Sequence, residues 1–298
     1  MVNAFIEGFP IQPDEPENLV LPGQEEISAQ PTAKIISVFS LRGGAGVTSV
    51  SVNLSIALAK LWAIEVSLWD MSINGGHCAY FLNLKPQAAL SSLSAWQAAA
   101  LEDNVIEGML NKHASGIKLL PAVLTALDAE LVTSHLVSLT LPYLLETATY
   151  LVIDAGNHFT EPVLDLFDQS DIILLLFSPE LASVKSAMDA LQIFEKLNLA
   201  ARVLPVANQT FPSNPLPLPK IAQVLKKTIT AEIPYDSQAF TQAINTGKPF
   251  INFEPQTPAG LAVAKLAYQL SAPEMESRKP GLSTPLLDQV RGPVKSEG

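Results

Sequence analysis

The sequence predicts an α/β protein with a doubly wound, mostly parallel sheet flanked by helices. Three observations predict it. Short apolar runs alternate with helical patterns along the chain, the arrangement that yields parallel strands joined by crossover helices. The first apolar run leads into Gly43, Gly44 and Gly46 and then a helix, the placement of an anion-binding loop. The charged fraction is 16%, against about 25% in a typical soluble protein, as expected where a sheet is covered on both faces.

The elements follow in order. Residues 34–40 form a strand, 47–61 a helix and 65–70 a second strand. Residues 90–100 and 103–110 have helical patterns, and 117–121 is a strand. A helix over 134–147 is opened by a hydroxyl cap at Thr133 or Ser134, with Pro142 as a kink. Strands at 150–154 and 171–177 follow, the second an unbroken apolar run. Then come a helix at 181–197, a strand at 202–208, a helix at 219–227 and a short strand at 230–233. Helices at 237–245 and 258–270 close the domain.

Three parts are expected. Residues 1–33 carry six carboxylates, no Lys or Arg, and five prolines, which reads as a disordered acidic tail. Residues 34–271 form the P-loop domain. Residues 272–298, rich in Pro, Ser, Glu and Gly, read as a second disordered tail.

Composition excludes several functions. A net charge of −11 without any basic run argues against nucleic-acid binding. The single cysteine rules out an internal disulfide and suits a cytoplasmic location. No apolar stretch reaches the roughly 18–20 residues of a membrane span. The four histidines, His77, His113, His135 and His158, lack metal-ligand spacing. Cys78 reads as a small packed residue past the second strand, and Trp62, Trp69 and Trp96 as core.

The chemistry concentrates at strand ends. In a P-loop, G-x-x-x-x-G-K-[ST], backbone N–H groups cradle phosphates, the lysine reaches the β- and γ-phosphates, and the hydroxyl holds Mg²⁺. Here Arg42, Gly43, Gly44, Ala45, Gly46, Val47, Thr48 and Ser49 occupy that loop. The hydroxyl is present as Thr48. The lysine position is Val47, which offers neither charge nor hydrogen bond. Asp70 and Asp154 each end an apolar strand, where a Mg²⁺-associated carboxylate sits in P-loop proteins. Either aspartate alone is also an ordinary cap or turn residue.

These elements, in this order, resemble the MinD/ParA branch of the P-loop proteins, a SIMIBI-like fold. Its deviant loop is K-G-G-x-G-K-[ST], on which Arg42 to Thr48 stands. Arg42 replaces the signature lysine, which in the family reaches across a dimer to the partner's nucleotide; the charge is kept but not the geometry. Val47 replaces the second lysine. The family's D-x-D falls on Asp70, Met71 and Ser72, so the second aspartate, which helps to position the attacking water, is a serine here. The Walker B aspartate falls on Asp154 and the adenine-recognising Asn on Asn208. Ile233, Pro234, Tyr235 and Asp236, followed by Ala243, Gly247 and Pro249, resemble the family's closing segment.

A finer likeness is to the CpaE/TadZ subgroup of tight-adherence pilus assembly. It rests on the stretch from Lys112 through His113, Ser115 and Gly116 to Ala122, and on Ser178, Pro179, Glu180, Leu181 and Ser183. The resemblance implies ATP or ADP with Mg²⁺ as cofactor, bound by the loop and Asn208 with Thr48, Asp70 and Asp154 at the metal. It implies a homodimer whose protein partners belong to a pilus or envelope assembly machine. Membrane association would come only through those partners, at a pole or the inner face. With Val47 and Ser72 in place, no residue is assigned a catalytic role, and a pseudo-ATPase scaffold is expected. An active partitioning or division-site ATPase, and a structural protein of another envelope machine, are the alternatives.

Overall fold

The computed structural model describes residues 33–73, 76–95, 103–212, 216–254 and 256–291. Residues 1–32, the bulk of the expected acidic tail, lie outside them, as does Trp96.

Eight strands form one sheet: β1 (Lys34–Phe39), β2 (Val66–Asp70), β3 (Asn111–Lys112), β4 (Ile117–Pro121), β5 (Tyr150–Asp154), β6 (Ile172–Phe177), β7 (Val203–Asn208) and β8 (Ala231–Ile233). Their spatial order is β3-β4-β2-β5-β1-β6-β7-β8. Every pairing is parallel except the β3–β4 hairpin at one edge. β1 sits at the centre between β5 and β6, so the chain winds outward in both directions from the strand that carries the glycine loop.

Alternation along the strands divides the core in two. Ile36, Val38, Tyr150 and Val152 join one buried cluster, and Ile35, Phe39, Leu151 and Ile153 join the other. This is the period of two of a strand buried on both faces. The first face is covered by α1 (Val47–Trp62), α8 (Ser237–Thr246) and α9 (Pro258–Arg278). The second is covered by α4 (Ser134–Thr147), α5 (Glu161–Gln169) and α6 (Leu181–Lys196). Short helices α2 (Cys78–Phe81), α3 (Asp103–Met109), α7 (Leu218–Leu225) and α10 (Pro285–Arg291) complete the set.

α1 is buried almost all round, and its buried Ser51, Ser55 and Asn53 bond carbonyls of the helix itself. Ser51 Oγ donates to the Val47 carbonyl at 2.9 Å, Ser55 Oγ to Ser51 O at 2.8 Å, and Asn53 Nδ2 to Ser49 O at 2.8 Å. The remaining Asn53 oxygen accepts from the Ile251 N–H at 2.9 Å. Buried polar groups paired in this way carry little penalty.

The structure departs from the sequence expectation in two places. Over 90–100, where a helix is expected, residues Leu90–Ala95 form a 3-10 turn. The Ser92 hydroxyl accepts from Ala89 N–H at 3.1 Å, a local bond that competes with a regular helix. The expected end at residue 271 is also passed: α9 runs through Pro273 to Arg278, and α10 packs Leu286 and Leu287 into the core. The reason is tertiary. Trp62 Nε1 donates to Ser271 Oγ at 2.8 Å, and the Lys279 ammonium donates to the Trp62 and Ala63 carbonyls at 2.8 and 3.0 Å. The segment after 271 thus caps the C-terminus of α1. Among the described residues, no helix is long and apolar enough to cross a membrane.

Candidate phosphate-binding site

The site stands at the C-terminal ends of the parallel strands, where open α/β sheets bind ligands. β1 ends at Phe39, the loop turns, and α1 starts at Val47. Two glycines make the turn possible: Gly44 has φ +80° and Gly46 φ +89°. Gly46 is needed for space as well, because a Cβ there would lie 2.4 Å from Asn208 Nδ2. Gly46→Ala should therefore destabilise the fold by about 2–4 kcal/mol, from left-handed strain and the clash together. A urea midpoint equal to that of the parent would contradict this geometry.

Asn208, the last residue of β7, donates through Nδ2 to the Ala45 carbonyl at 2.9 Å. It ties the loop to a strand two places away in the sheet. Its Oδ1 is buried and has no partner among the described residues, so one acceptor stands free beside the loop.

Beneath the loop lie two carboxylates. Asp70 and Asp154 are register partners across β2 and β5, and they are 1% and 0% exposed. Asp154 accepts a hydrogen bond from the Thr48 hydroxyl and one from Gly156 N–H at 3.1 Å. Asp70 accepts from Cys78 N–H at 2.9 Å and Ser72 N–H at 3.1 Å. The Cys78 thiol donates to Asp154 Oδ2 at 3.4 Å. One ligating atom each of Asp70, Cys78 and Asp154 lies within 4.8 Å of the others. Gly76 lets the chain close over this group, since a Cβ there would meet Asp70 Oδ2 at 2.7 Å.

Burial, and next the charge of Asp154, pushes the Asp70 carboxyl up to about 7. Burial likewise raises Asp154, against the hydrogen bonds it accepts from Thr48, Gly156 and Cys78. The Cys78 thiol is pushed up by burial and by both carboxylates, which keeps it a neutral donor. Two adjacent buried carboxylates, with a hydroxyl on one of them, suit a hard divalent cation with oxygen ligands. Thr48, Asp154 and Asp70 would hold it, and it would supply positive charge to a bound phosphate. Cys78 is the soft group beside them.

Above the loop opens a cavity of about 680 Å³, a size in the range of small-molecule and cofactor sites. All nine residues expected to bind nucleotide, Arg42 to Ser49 and Asn208, line it. Asp70 and Asp154 do not, being sealed below. Tyr235 and Phe240 add an aromatic wall. Asp236 caps α8, accepting from Ala239 N–H at 3.1 Å, which places the Ile233–Asp236 motif at the mouth.

Val47 is 8% exposed and belongs to the core cluster on the α1 face. Ser72 lines the cavity rim. Among the described lining residues, Arg42 is the one permanently charged cation. It is held within the chain by Glu180 at 3.3 Å, whose carboxylate also caps α6 by accepting from Ala182 and Ser183 N–H at 2.9 Å each.

Two residues read from the sequence as bland have a place here. His77 lines the cavity, and Cys78 bridges the aspartates. No local pattern marks either one. Both depend on where α2 begins relative to the ends of β2 and β5.

No protein-family model matches the chain. An uncharacterized ATP-binding protein of Methanocaldococcus jannaschii is 23% identical over 246 residues, covering 82% of this chain and 89% of that protein. A ParA family ATPase from Chlorobium tepidum superposes with a TM-score of 0.74 at 18% identity, covering 81% of this chain and all of that one. The septum site-determining protein MinD of Pyrococcus horikoshii, solved as a complex with Mg-ADP, gives a TM-score of 0.72 at 19% identity, covering 84% of this chain and 100% of that one. The fold is therefore that of the MinD/ParA P-loop NTPases.

Proposed function

We propose that the chain is a degenerate MinD/ParA-type protein of the CpaE/TadZ kind. It binds ATP or ADP with Mg²⁺ at the glycine loop, hydrolyses ATP slowly or not at all, and serves as a homodimeric scaffold or localisation factor for a pilus or secretion machine. The observation that carries this reading is Val47. It lies at the lysine position with its side chain in the apolar core, and Arg42, the one permanent cation among the described residues lining the cavity, is paired with Glu180. Loss of one preorganised charge on a developing oxyanion lowers rate by about 10²–10³, and Ser72 removes the carboxylate that would orient water.

Binding is supported by different residues. The first-turn N–H groups of α1, the Thr48 hydroxyl, the buried carboxylates and the free Asn208 oxygen remain. Their chemistry suits phosphate, metal and base. The pilus assignment rests on the His113–Ser115–Gly116 and Ser178–Ser183 segments quoted above.

The test is calorimetric titration of ATP and ADP with Mg²⁺, alongside turnover and size-exclusion mass with and without nucleotide. Saturable binding is expected, with turnover at least 100-fold below that of an intact MinD/ParA ATPase. Turnover equal to an intact ATPase, abolished by Thr48→Ala, would show an active enzyme instead.

A further inference from the structure

A second cavity, of about 390 Å³, opens at the opposite end of the domain. Its lining includes Lys60, His113, Ser115, Lys248, Asn252 and Phe253. These residues come from four separate places: the last turn of α1, the β3–β4 hairpin, the segment after α8, and the turn that follows it. Among the described residues no carboxylate lines it, although the chain as a whole carries −11. We propose that this cavity binds a phosphate-bearing small molecule, held by the ammonium groups of Lys60 and Lys248 with the His113 ring as a further donor.

The lysines are not otherwise employed. Lys60 lies in the last turn of α1, where a cation commonly serves the helix C-terminus. Here that end is served by others: Lys279 donates to the Trp62 and Ala63 carbonyls and Thr284 to Leu61 O at 3.1 Å. α8 closes through Gly247 in the left-handed conformation, with its N–H and that of Lys248 on the Ala243 carbonyl, so its end needs no ammonium either. Among the described residues, neither lysine has a carboxylate within 4.0 Å. Glu254 acts on Lys60 without pairing with it, and burial pushes Lys60 below its ordinary value. A half-buried ammonium without a partner is stabilised by an anion placed beside it.

His113 is oriented for donation. Its Nδ1 accepts from Ser115 N–H at 3.2 Å, with the Ser115 hydroxyl also against Nδ1 at 2.7 Å. The neutral ring therefore carries its proton on Nε2. Two point charges and a donor match a dianionic phosphate better than a single carboxylate. Phe253 offers an apolar surface to the rest of the molecule.

The two cavities share two helices. α1 begins at the glycine loop with Val47 and reaches Lys60 thirteen residues on, about 20 Å away. α8 begins with Ser237 and Phe240 at the first cavity and ends at Gly247 in the second.

Histidine rings report the two cavities separately, His77 the first and His113 the second. The full chain is titrated with pyrophosphate at pH 7.5, with ring resonances followed by NMR and assigned through His77→Gln and His113→Gln. Saturable movement of the His113 resonance is expected. At least a tenfold weakening is expected in Lys60→Gln/Lys248→Gln, and a several-fold loss in Lys248→Gln alone, an exposed position that leaves the core intact. A His113 resonance that does not move, or one that moves equally in the lysine variants, overturns the proposal. The His77 response bears only on the glycine loop, so failure there leaves the His113 result standing.

Discussion

Val47→Lys raises the affinity for MgATP and MgADP by at least tenfold. The position is the first residue of α1, where the helix N-terminus and the turned loop already direct N–H groups into the cavity. A single well-placed charge on phosphate, in a site partly screened from water, is worth about 1.5–3 kcal/mol, and 1.4 kcal/mol is a factor of ten. The four-carbon stem can lie along the apolar floor that Val47 now forms while the ammonium emerges at the phosphates. The two carboxylates beneath the loop lend further support, since a cation nearby favours their charged forms. Against this stands the loss of valine packing and the fitting of a longer chain, about 1–3 kcal/mol of stability. Affinity is expected to rise while the melting temperature falls. Turnover stays near background, because Ser72 still provides no carboxylate; Val47→Lys with Ser72→Asp should be the first combination with measurable hydrolysis. Calorimetry on the folded single variant decides the matter: an affinity unchanged from the parent would mean that the loop is not a phosphate site.

Asp70→Asn stabilises the protein above neutral pH. In the fold, burial and the charge of Asp154 hold the proton on Asp70 up to about 7, against about 4 in the unfolded chain. Between those values the folded state binds more protons than the unfolded state, so stability falls as pH rises and is least above 7. An asparagine carries no charge to desolvate. Its oxygen can keep the bond from Cys78 N–H, and its amide can donate to Asp154. At pH 8 in EDTA the variant should be more stable by on the order of 1–3 kcal/mol, or about 3–10 °C in melting temperature. At pH 4.5 the two proteins should be nearly equal. Thermal unfolding across pH 4.5–8.5 tests this. Parallel curves would show that Asp70 is not the strained group. Mg²⁺ should narrow the gap at pH 8 from the other side, by stabilising the parent, in keeping with a site that trades stability for function.

Much of this was legible before any fold was known, and the reason is local. A strand, a glycine turn and a helix in succession are specified by neighbouring residues: alternation or an apolar run, left-handed glycines, then a helical pattern. Aspartates at strand ends can be placed in the same way, because parallel strands bring their C-terminal ends to one edge. So the sequence by itself determined the α/β class and the position of the loop, and it offered Thr48, Asp70 and Asp154 as candidates, whereas Val47 as a lost lysine and Asn208 came in through the family resemblance. The errors were local in the same sense. Ser92 bonds locally within Leu90–Ala95, a 3-10 segment at the start of the expected helix, and Pro273 suggested an end that the Trp62–Ser271 bond and the capping of α1 by Lys279 override.

What only the tertiary structure decided are contacts between residues far apart in the chain. Cys78 meets both Asp70 and Asp154 because β2 is in register with β5 and α2 opens beside the two strand ends. Arg42 is occupied because α6 begins with Glu180 at the loop. Asn208 reaches Ala45 because β7 lies two strands from β1. Lys60, His113 and Lys248, unremarkable one at a time, become a charged cavity because α1, the edge hairpin and the end of α8 converge. Periodicity reports which face of an element is buried, while the packing of elements decides what that face meets, and the chemistry of this protein lies in those meetings.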